Sequence, residues 1–262
     1  MTFNRLIYAS DCLVSLALWK MKTRIPLPYA RYRVNGALMT VRPLSMDAVI
    51  CYENMEMAVY DPFIPQFVPG DTVIDIGAHI GSFSVHTALA QRSGIRIFAY
   101  EPHPVSYKLL TENIKFNQVG KTVTARRSAV SDTRGRVRLH MHRSNTGSNS
   151  IFGSSDYAGN ISVPTVTLAD VFSENNIRRC RFLKLDCEGA EMPILSAAPA
   201  GLWKRIDSVV TEIHPNYPES GLTGLFKRNG FFTRIISGRS DRGALERFAS
   251  KSVRLLHARK SN

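Results

Sequence analysis

Two glycines and an acidic residue lie where an apolar run changes into an amphipathic one, in TVIDIGAHIGSFSVHTALA over residues 72–90. Gly77 and Gly81 lack the Cβ atoms that would obstruct a sharp strand-to-helix turn and the approach of a ligand to the backbone. Dinucleotide sites favour the spacing G-x-G-x-x-G, but here the spacing is G-x-x-x-G and Asp75 precedes it. A carboxylate suits an amino group better than a pyrophosphate, so this pattern favours S-adenosylmethionine over NAD.

A second acidic residue, Glu101, follows the next apolar run, IRIFAY. At the end of a second strand, a carboxylate can accept hydrogen bonds from both hydroxyls of a ribose. NAD enzymes make the same contact, so Glu101 indicates a nucleoside and does not by itself identify the cofactor.

Alternating strands and helices must position these residues. Near-continuous apolar runs predict strands at TVIDIG, IRIFAYEP, VTARRSAV, RFLKLDCEG and DSVVTEIHP, and amphipathic runs predict helices at GSFSVHTALAQ, PVSYKLLTENIKFN and from about Ala190. Such alternation is typical of a parallel sheet covered by helices on both faces. The predicted fold class is therefore α/β, with a doubly wound, mostly parallel sheet.

The predicted organisation is an N-terminal extension over residues 1–40 and one doubly wound domain over residues 41–262. The extension is expected to hold an amphipathic helix and the start of a β-hairpin, because RYRVNGALMTVR places Asn-Gly between two β-type runs. A Ser-, Asn- and Gly-rich insert at about 135–165 is predicted to be irregular. It is a candidate lid or substrate loop, with a mobile surface hairpin as the alternative.

The charge and the N-terminus bear on partners and location. The formal net charge is +13 and gathers towards both ends of the chain. Such a charge attracts phosphates, acidic substrates or an anionic membrane surface. The alternative is that the basic residues form solvated faces without a specific partner.

Residues 6–19 are too short to span a bilayer, and no signal-peptide cleavage site follows them. Four scattered cysteines indicate neither zinc nor disulfides, so a cytoplasmic protein is predicted, with membrane association through the basic N-terminus as the alternative.

The chain resembles the FkbM-type methyltransferases over about residues 40–240. The segments that carry the resemblance are VIDIGAHIGSFS, AYEPHP, LLTENIKFN, AVSD, TLADVF, FLKLDCEGAEMPIL and VVTEIHP. The resemblance implies an enzyme that uses S-adenosylmethionine to methylate hydroxyl groups and that has the class I Rossmann-like fold. The seven-stranded sheet of that class ends with an antiparallel strand, which SVRLLHAR near the C-terminus could form.

The resemblance also implies which residues bind the cofactor. It assigns the methionine end to Asp75, Gly77, Ala78 and Gly81, the ribose to Glu101, and the adenine to Pro102, His103, Ser128 and Ala129. Asp186 would face the methyl group and the incoming acceptor.

Methyl transfer to a hydroxyl needs positioning and a base, because the sulfonium already activates the methyl carbon. Carboxylates and one imidazole follow the later strands: Asp186, Glu188, Glu191, Glu212 and His214. We expect Asp186 or His214 to be the base, since an ordinary histidine accepts a proton near neutral pH, whereas a carboxylate would need a raised pKa to do so efficiently. Glu212 is a third catalytic candidate. No dedicated metal site is predicted. In the alternative, Asp186, Glu188 and Glu212 hold Mg²⁺, which acidifies a substrate diol.

The other functions to compare are base methylation of DNA, ribose methylation of RNA and NAD-dependent oxidation. Base methylation of DNA is not expected, because the chain has DCEG where amino-methylating enzymes carry an acidic residue or Asn before Pro-Pro-aromatic. RNA ribose methylation is an alternative, since it also acts on a hydroxyl. An NAD-dependent oxidoreductase would share Glu101 but would usually need a Tyr-x-x-x-Lys pair, and none is in place. The predicted partner is a small hydroxylated acceptor such as a sugar, a glycolipid or another natural product; the oligomeric state is not predicted.

Overall fold

The structure is a computed structural model, and it describes residues 29–43, 45–91, 94–142, 149–152, 157–214, 217–237 and 254–260. The predicted amphipathic helix of the N-terminus lies outside the described residues, and so do residues 143–148 and 153–156 of the insert. No helix among the described residues is long and apolar enough to cross a bilayer.

Twelve strands are described. They are β1 (Ala30–Val34), β2 (Ala37–Val41), β3 (Thr72–Ile76), β4 (Arg96–Tyr100), β5 (Val123–Arg126), β6 (Ala129–Ser131), β7 (Gly135–His142), β8 (Tyr157–Thr167), β9 (Phe182–Leu185), β10 (Ser208–Glu212), β11 (Phe231–Ser237) and β12 (Arg254–Lys260). The α-helices are α1 (Asp47–Cys51), α2 (Ser82–Ala90), α3 (Pro104–Phe116), α4 (Leu168–Glu174), α5 (Glu191–Ser196), α6 (Ala200–Trp203) and α7 (Glu219–Arg228). A π-helix spans Tyr52–Glu56 and a 3₁₀-helix spans Asp61–Phe63.

Seven strands form the central sheet, in the order β11-β12-β10-β9-β3-β4-β5. The pairs β10–β9, β9–β3, β3–β4 and β4–β5 are parallel, whereas β12 runs antiparallel to both of its neighbours. The predicted α/β class, the doubly wound sheet and the antiparallel last strand are therefore confirmed. The centre of this sheet is buried on both faces, and every residue of β3 is buried, as expected of a parallel sheet covered on two sides.

The β1–β2 hairpin turns at Asn35 and Gly36, whose φ angles are 43° and 85°. Two consecutive positive φ angles are what a two-residue hairpin turn with Asn-Gly requires, so the predicted hairpin is confirmed. Asn113 of α3 and Asn117, which caps the C-terminus of α3, bind the backbone of Thr40 and Leu38 through side-chain hydrogen bonds of 2.7–3.2 Å. These bonds hold the hairpin against the α/β domain.

Two predictions about the middle of the chain were wrong. VTARRSAV is not one strand, because β5 belongs to the central sheet and β6 to a separate three-stranded sheet in the order β6-β8-β7. The insert is not mainly irregular, because β7 and β8 pair antiparallel over most of their length. Along β7, Val137 and Leu139 pack on an apolar cluster while Arg136 and Arg138 are exposed. This alternation has the period of a half-buried strand, and the polar composition of the insert concealed it.

Candidate active site

The loops that follow the parallel strands meet at one edge of the sheet, as a doubly wound fold requires. Gly77 follows β3, Glu101 follows β4 and Asp186 follows β9. These three residues line one narrow crevice. Glu212, the last residue of β10, lies beside Asp186.

Gly77 is packed against the chain that leaves β9. Its φ angle is 79°, and a Cβ atom there would lie 1.8 Å from the backbone oxygen of Asp186. No side chain fits this space. The glycine therefore allows the loop after β3 to lie directly against the residue that ends the neighbouring strand, which places Asp186 beside the loop.

Asp75 is fully buried and already has partners in the protein. Its carboxylate accepts hydrogen bonds from Oγ of Ser84 at 2.7 Å and from Nζ of Lys184 at 3.1 Å. Lys184 is also buried, and its Nζ lies 3.6 Å from Oδ2 of Asp186. Burial alone would lower the pKa of Lys184, but Asp75 and Asp186 hold that pKa above its usual value. A buried ammonium thus joins the acid of β3 to the acid that follows β9, and direct contact of Asp75 with a ligand stays a prediction.

Glu101 is buried at the rim of the crevice. Its carboxylate accepts backbone hydrogen bonds from the N–H groups of His79 and His103, both 2.8 Å long. Burial raises the pKa of Glu101 even though His79 and the backbone bonds act in the opposite direction. Both carboxylate oxygens are thereby held in place by the loops after β3 and β4.

The predicted cofactor residues divide into two groups. Those that line the crevice are Gly77, Glu101, Pro102, Ala129 and Asp186. The others are not among its lining residues: Asp75 is buried, Ala78 continues the loop, Gly81 caps the N-terminus of α2, His103 caps the N-terminus of α3, and Ser128 precedes β6. Whether these residues bind the cofactor stays a prediction.

The insert contributes one wall of the crevice. Leu139 of β7, Asn149 and Ile151 are lining residues, and Oγ of Ser150 donates a 2.6 Å hydrogen bond to the backbone oxygen of Glu188. The crevice has a volume of only about 60 Å³, whereas sites for ligands of drug size usually measure about 300–1,000 Å³. A nucleoside could therefore enter only if this wall shifted.

Asp186, Glu212 and His214 form a compact group, in which one ligand-type atom from each lies within 4.8 Å of the others. Nε2 of His214 lies 3.4 Å from Oε2 of Glu188, and Nδ1 of His214 lies 3.2 Å from Oε1 of Glu191. The side chain of Asp186 is 28% exposed, so its carboxylate can be reached from the crevice. The three predicted catalytic residues are thus brought together.

The protonation states in this group differ from those of ordinary side chains. Burial alone would lower the pKa of His214, but the adjacent carboxylates of Glu188 and Glu191 raise it to about 11. Burial and repulsion from Asp186 raise the pKa of Glu212 to about 9. Burial would also raise the pKa of Asp186, but Lys184 and His214 hold it below its usual value. At neutral pH, Asp186 is a carboxylate, Glu212 is a carboxylic acid and His214 is an imidazolium.

This result corrects the assumption that His214 titrates near neutral pH as a free histidine does. The assumption failed because the carboxylates of Glu188 and Glu191 flank the two ring nitrogens, and a charged imidazole is stabilised by such neighbours. The alternative magnesium set is also changed, since the compact group contains His214 in place of Glu188. An imidazole whose nitrogens both face carboxylates is better suited to carry a proton than to bind a cation.

Two residues that the sequence analysis missed approach Asp186 from the segment before β3. The hydroxyl of Tyr60 donates a 3.2 Å hydrogen bond to Oδ2 of Asp186, and the Tyr60 ring packs edge-on against Phe83 at 5.4 Å. Glu53 lies in the π-helix, and burial together with repulsion from Asp186 raises its pKa to about 8. π-helical turns are frequent at functional sites. No spacing in the sequence connects these residues with Asp186.

A second missed group supports the loop after β3. The guanidinium of Arg42 forms two 2.8 Å hydrogen bonds with the fully buried carboxylate of Asp47, and its Nη2 lies 3.0 Å from Nε2 of His79. Arg42, which follows β2, thereby ties the N-terminal segment to the loop that carries Gly77 and His79.

The comparison with protein families gives a match over residues 75–242, to the model described as the methyltransferase FkbM domain. This range covers well over half of the chain and includes the strand ends that form the crevice.

Individual relatives agree with the family match. The chain is similar to the 31-O-demethyl-FK506 methyltransferase FkbM of Streptomyces tacrolimicus, with 29% identity over 56% of this chain and 66% of that protein. It is similar to the hexuronic acid methyltransferase AglP of Haloferax volcanii, with 24% identity over 63% of this chain and 65% of that protein. The crystal structure of the methyltransferase FkbM from Methylobacillus flagellatus KT has the same fold, with a TM-score of 0.50 and 14% identity over 74% of this chain and 45% of that one. The chain thus spans less than two thirds of each of these proteins.

Proposed function

Because the chain belongs to the FkbM methyltransferase family, we propose that it transfers a methyl group from S-adenosylmethionine to a hydroxyl group of a small molecule. The observation that carries the proposal is the crevice itself, where a buried carboxylate after β4 and an accessible carboxylate after β9 lie on either side of a glycine loop. This arrangement supports a nucleoside cofactor at Glu101 and chemistry at Asp186.

The residues present fit the cofactor. The close approach of Gly77 to the backbone of Asp186, where a Cβ atom would clash, brings the loop after β3 and the end of β9 to one crevice with Glu101. Glu101 would bind the ribose hydroxyls, and Pro102 and Ala129 would border the adenine. The bound cofactor supplies a methyl carbon that its sulfonium already activates, so the protein's task is positioning and proton transfer.

Asp186 is the group proposed to receive the hydroxyl proton of the acceptor. It is ionised, it is reachable from the crevice, and it is held in place by Tyr60 and Lys184. Its low pKa makes it a weak base, which suffices because the hydroxyl proton becomes strongly acidic as the oxygen bonds to the methyl carbon. Glu212, which its pKa of about 9 keeps protonated at neutral pH, would donate its one O–H to Asp186 and so help to hold that carboxylate in place. His214 would remain an imidazolium that stabilises the surrounding carboxylates.

The class of acceptor is proposed from the relatives' names. One relative is named as a 31-O-demethyl-FK506 methyltransferase and another as a hexuronic acid methyltransferase. We propose a sugar or another hydroxylated natural product. Family membership favours methyl transfer over the NAD-dependent oxidation that would also use Glu101, and RNA ribose methylation is the alternative that an acceptor screen must address. The cytoplasmic location and the membrane association stay predictions.

The test of the proposed function is calorimetric titration of the protein with S-adenosylmethionine, S-adenosylhomocysteine and NAD, with and without Mg²⁺. We expect both adenosyl ligands to bind, NAD not to bind, and Mg²⁺ to make no difference. Acceptors are then screened with a labelled methyl group, using sugar acids, macrolides and RNA. Binding of NAD alone would overturn the proposal.

We predict that turnover falls as the pH rises through about 9, because Glu212 then loses its proton. The second carboxylate formed beside Asp186 repels it and can no longer donate a hydrogen bond to it. Measurement of kcat between pH 6 and 10 checks this prediction. The Glu212→Gln variant, which cannot ionise, serves as the control: its kcat should be lower but should lack the fall near pH 9. A fall of equal size in that variant would contradict the assignment.

We also predict that Tyr60→Phe lowers kcat by about tenfold, because a hydrogen bond to a charged group is lost. The phenyl ring preserves the packing on Phe83, so the melting temperature and the affinity for S-adenosylmethionine should change little. Tyr107→Phe is the matched control, since Tyr107 is a half-buried residue of α3 on the same apolar cluster. Equal kcat values for the two variants would show that Tyr60 does not position Asp186.

A further inference from the structure

A second cavity lies along the last two strands of the sheet, apart from the crevice. Its volume is about 710 Å³, which is within the range of sites that enclose a ligand of drug size. One wall is the segment that holds Val59, Pro62 and Phe63, and the other is a face of β11 and β12. Tyr60, in the same segment, reaches Asp186, so one short stretch of chain borders both the crevice and the cavity.

The two ends of the cavity differ in character. The end nearest the crevice is apolar, with Val59, Ile236 and Leu255 among the lining residues. Phe63 lies between the two ends, because its ring centroid is 5.2 Å from that of His257. Leu255 pairs directly with Glu212 across β10 and β12. The cavity therefore begins one strand away from the group around Asp186 and extends from there along the sheet.

The other end is basic. Arg234 is the cross-strand partner of His257, and Arg259 is the partner of Phe232, so the three basic residues lie on one face of the sheet. No acidic residue is among the described residues that line the cavity. Within the described part of the chain, neither Arg234 nor Arg259 forms an ion pair.

The charges of these two arginines act on His257. Its Nε2 lies 2.9 Å from Oγ of Ser208, and its pKa is lowered by burial and then by the charges of Arg259 and Arg234. Two positive charges that act on one histidine without a compensating acid attract an anion. A phosphate monoester carries about −1.5 to −2 charges at neutral pH and fits the planar guanidinium group through paired hydrogen bonds.

We propose that this cavity binds a single molecule of an amphiphile with a phosphate head group. The phosphate lies between Arg234 and Arg259, and the hydrocarbon chain runs over Phe63 and Leu255 towards the segment of Tyr60. A concave site of finite volume encloses one molecule, whereas a membrane surface needs a convex or flat face. The inference goes beyond the proposed methyl transfer and does not depend on the identity of the acceptor.

The test is calorimetric titration of the full chain with dodecyl phosphate below its critical micelle concentration. The comparison ligands are hexyl phosphate, inorganic phosphate and the uncharged dodecyl maltoside. We expect dodecyl phosphate to bind at least about tenfold more tightly than each of the other three, because only it provides both the charge and a long apolar chain. Binding is measured without S-adenosylmethionine, so failure of the proposed function would leave this result unaffected.

Variants separate the proposed site from general attraction to a basic protein. Arg234→Gln and Arg259→Gln should each weaken dodecyl phosphate binding by about tenfold, and their melting temperatures should match that of the unmodified chain. Arg138→Gln is the matched control, because Arg138 is an exposed arginine on β7, outside the cavity, and it should leave the affinity unchanged.

Three outcomes would overturn the proposal. Equal loss in Arg138→Gln would show that net charge alone attracts the ligand. Equal affinity for inorganic phosphate and dodecyl phosphate would show an anion site without a chain site. Binding to vesicles that contain phosphatidic acid, with no binding of monomeric dodecyl phosphate, would assign the basic face to a membrane surface instead.

Discussion

Replacing Asp186 with asparagine is expected to lower kcat by about 10²–10⁴-fold while leaving the affinity for S-adenosylmethionine within about threefold, the signature of a lost proton acceptor. Asparagine keeps the shape of the side chain and can still accept the hydrogen bond from Tyr60. Lys184 keeps its contact with Asp75, so the fold should persist. The amide cannot take a proton from the acceptor hydroxyl, and that step alone should be lost.

The measurement is a pair of experiments on each variant, single-turnover methyl transfer and calorimetric cofactor binding. Glu188→Gln is the matched control, because Glu188 also lines the crevice but its carboxylate faces His214. We expect this control to lose less than about tenfold in kcat. If Asp186→Asn lost cofactor affinity in proportion to kcat, Asp186 would be a binding residue and not the base.

Replacing Gly77 with alanine is expected to lower the free energy of unfolding by about 3–5 kcal/mol, the sum of backbone strain at positive φ and overpacking. The added Cβ atom would lie 1.8 Å from the backbone oxygen of Asp186, and a backbone atom cannot move aside as a flexible side chain can. The loop after β3 must therefore shift away from β9. Because the shift separates Gly77 from Asp186, cofactor binding should be lost as well.

Urea-induced unfolding measures this effect, and Gly36→Ala is the matched control. Gly36 has nearly the same φ angle, 85°, but a Cβ atom there meets nothing within 4 Å. Its replacement should cost about 1–2 kcal/mol, from backbone strain alone. Equal costs at the two positions would mean that the loop after β3 relaxes freely, and the close approach of Gly77 to Asp186 would then not be what holds the crevice together.

Local patterns in the sequence determined most of the fold. Near-continuous apolar runs predicted the parallel strands, because a strand buried on both faces has no polar side. Asn35 and Gly36 predicted the hairpin turn, because few residue pairs tolerate two positive φ angles. The predicted irregular insert was wrong, since the two-residue alternation of β7 lay within a polar, glycine-rich stretch that was interpreted by composition.

The tertiary structure decided the chemistry of the site. The sequence identified Asp186, Glu212 and His214 as neighbours because the carboxyl ends of parallel strands share one edge, but it could not give their charges. Those charges depend on burial and on contacts from elsewhere in the fold, such as the hydrogen bond from Tyr60, 126 positions before Asp186. Local propensity acts over a few residues, whereas electrostatic interaction acts through space, so the pairing of Lys184 with Asp75 and the raised pKa of His214 follow only from the folded chain.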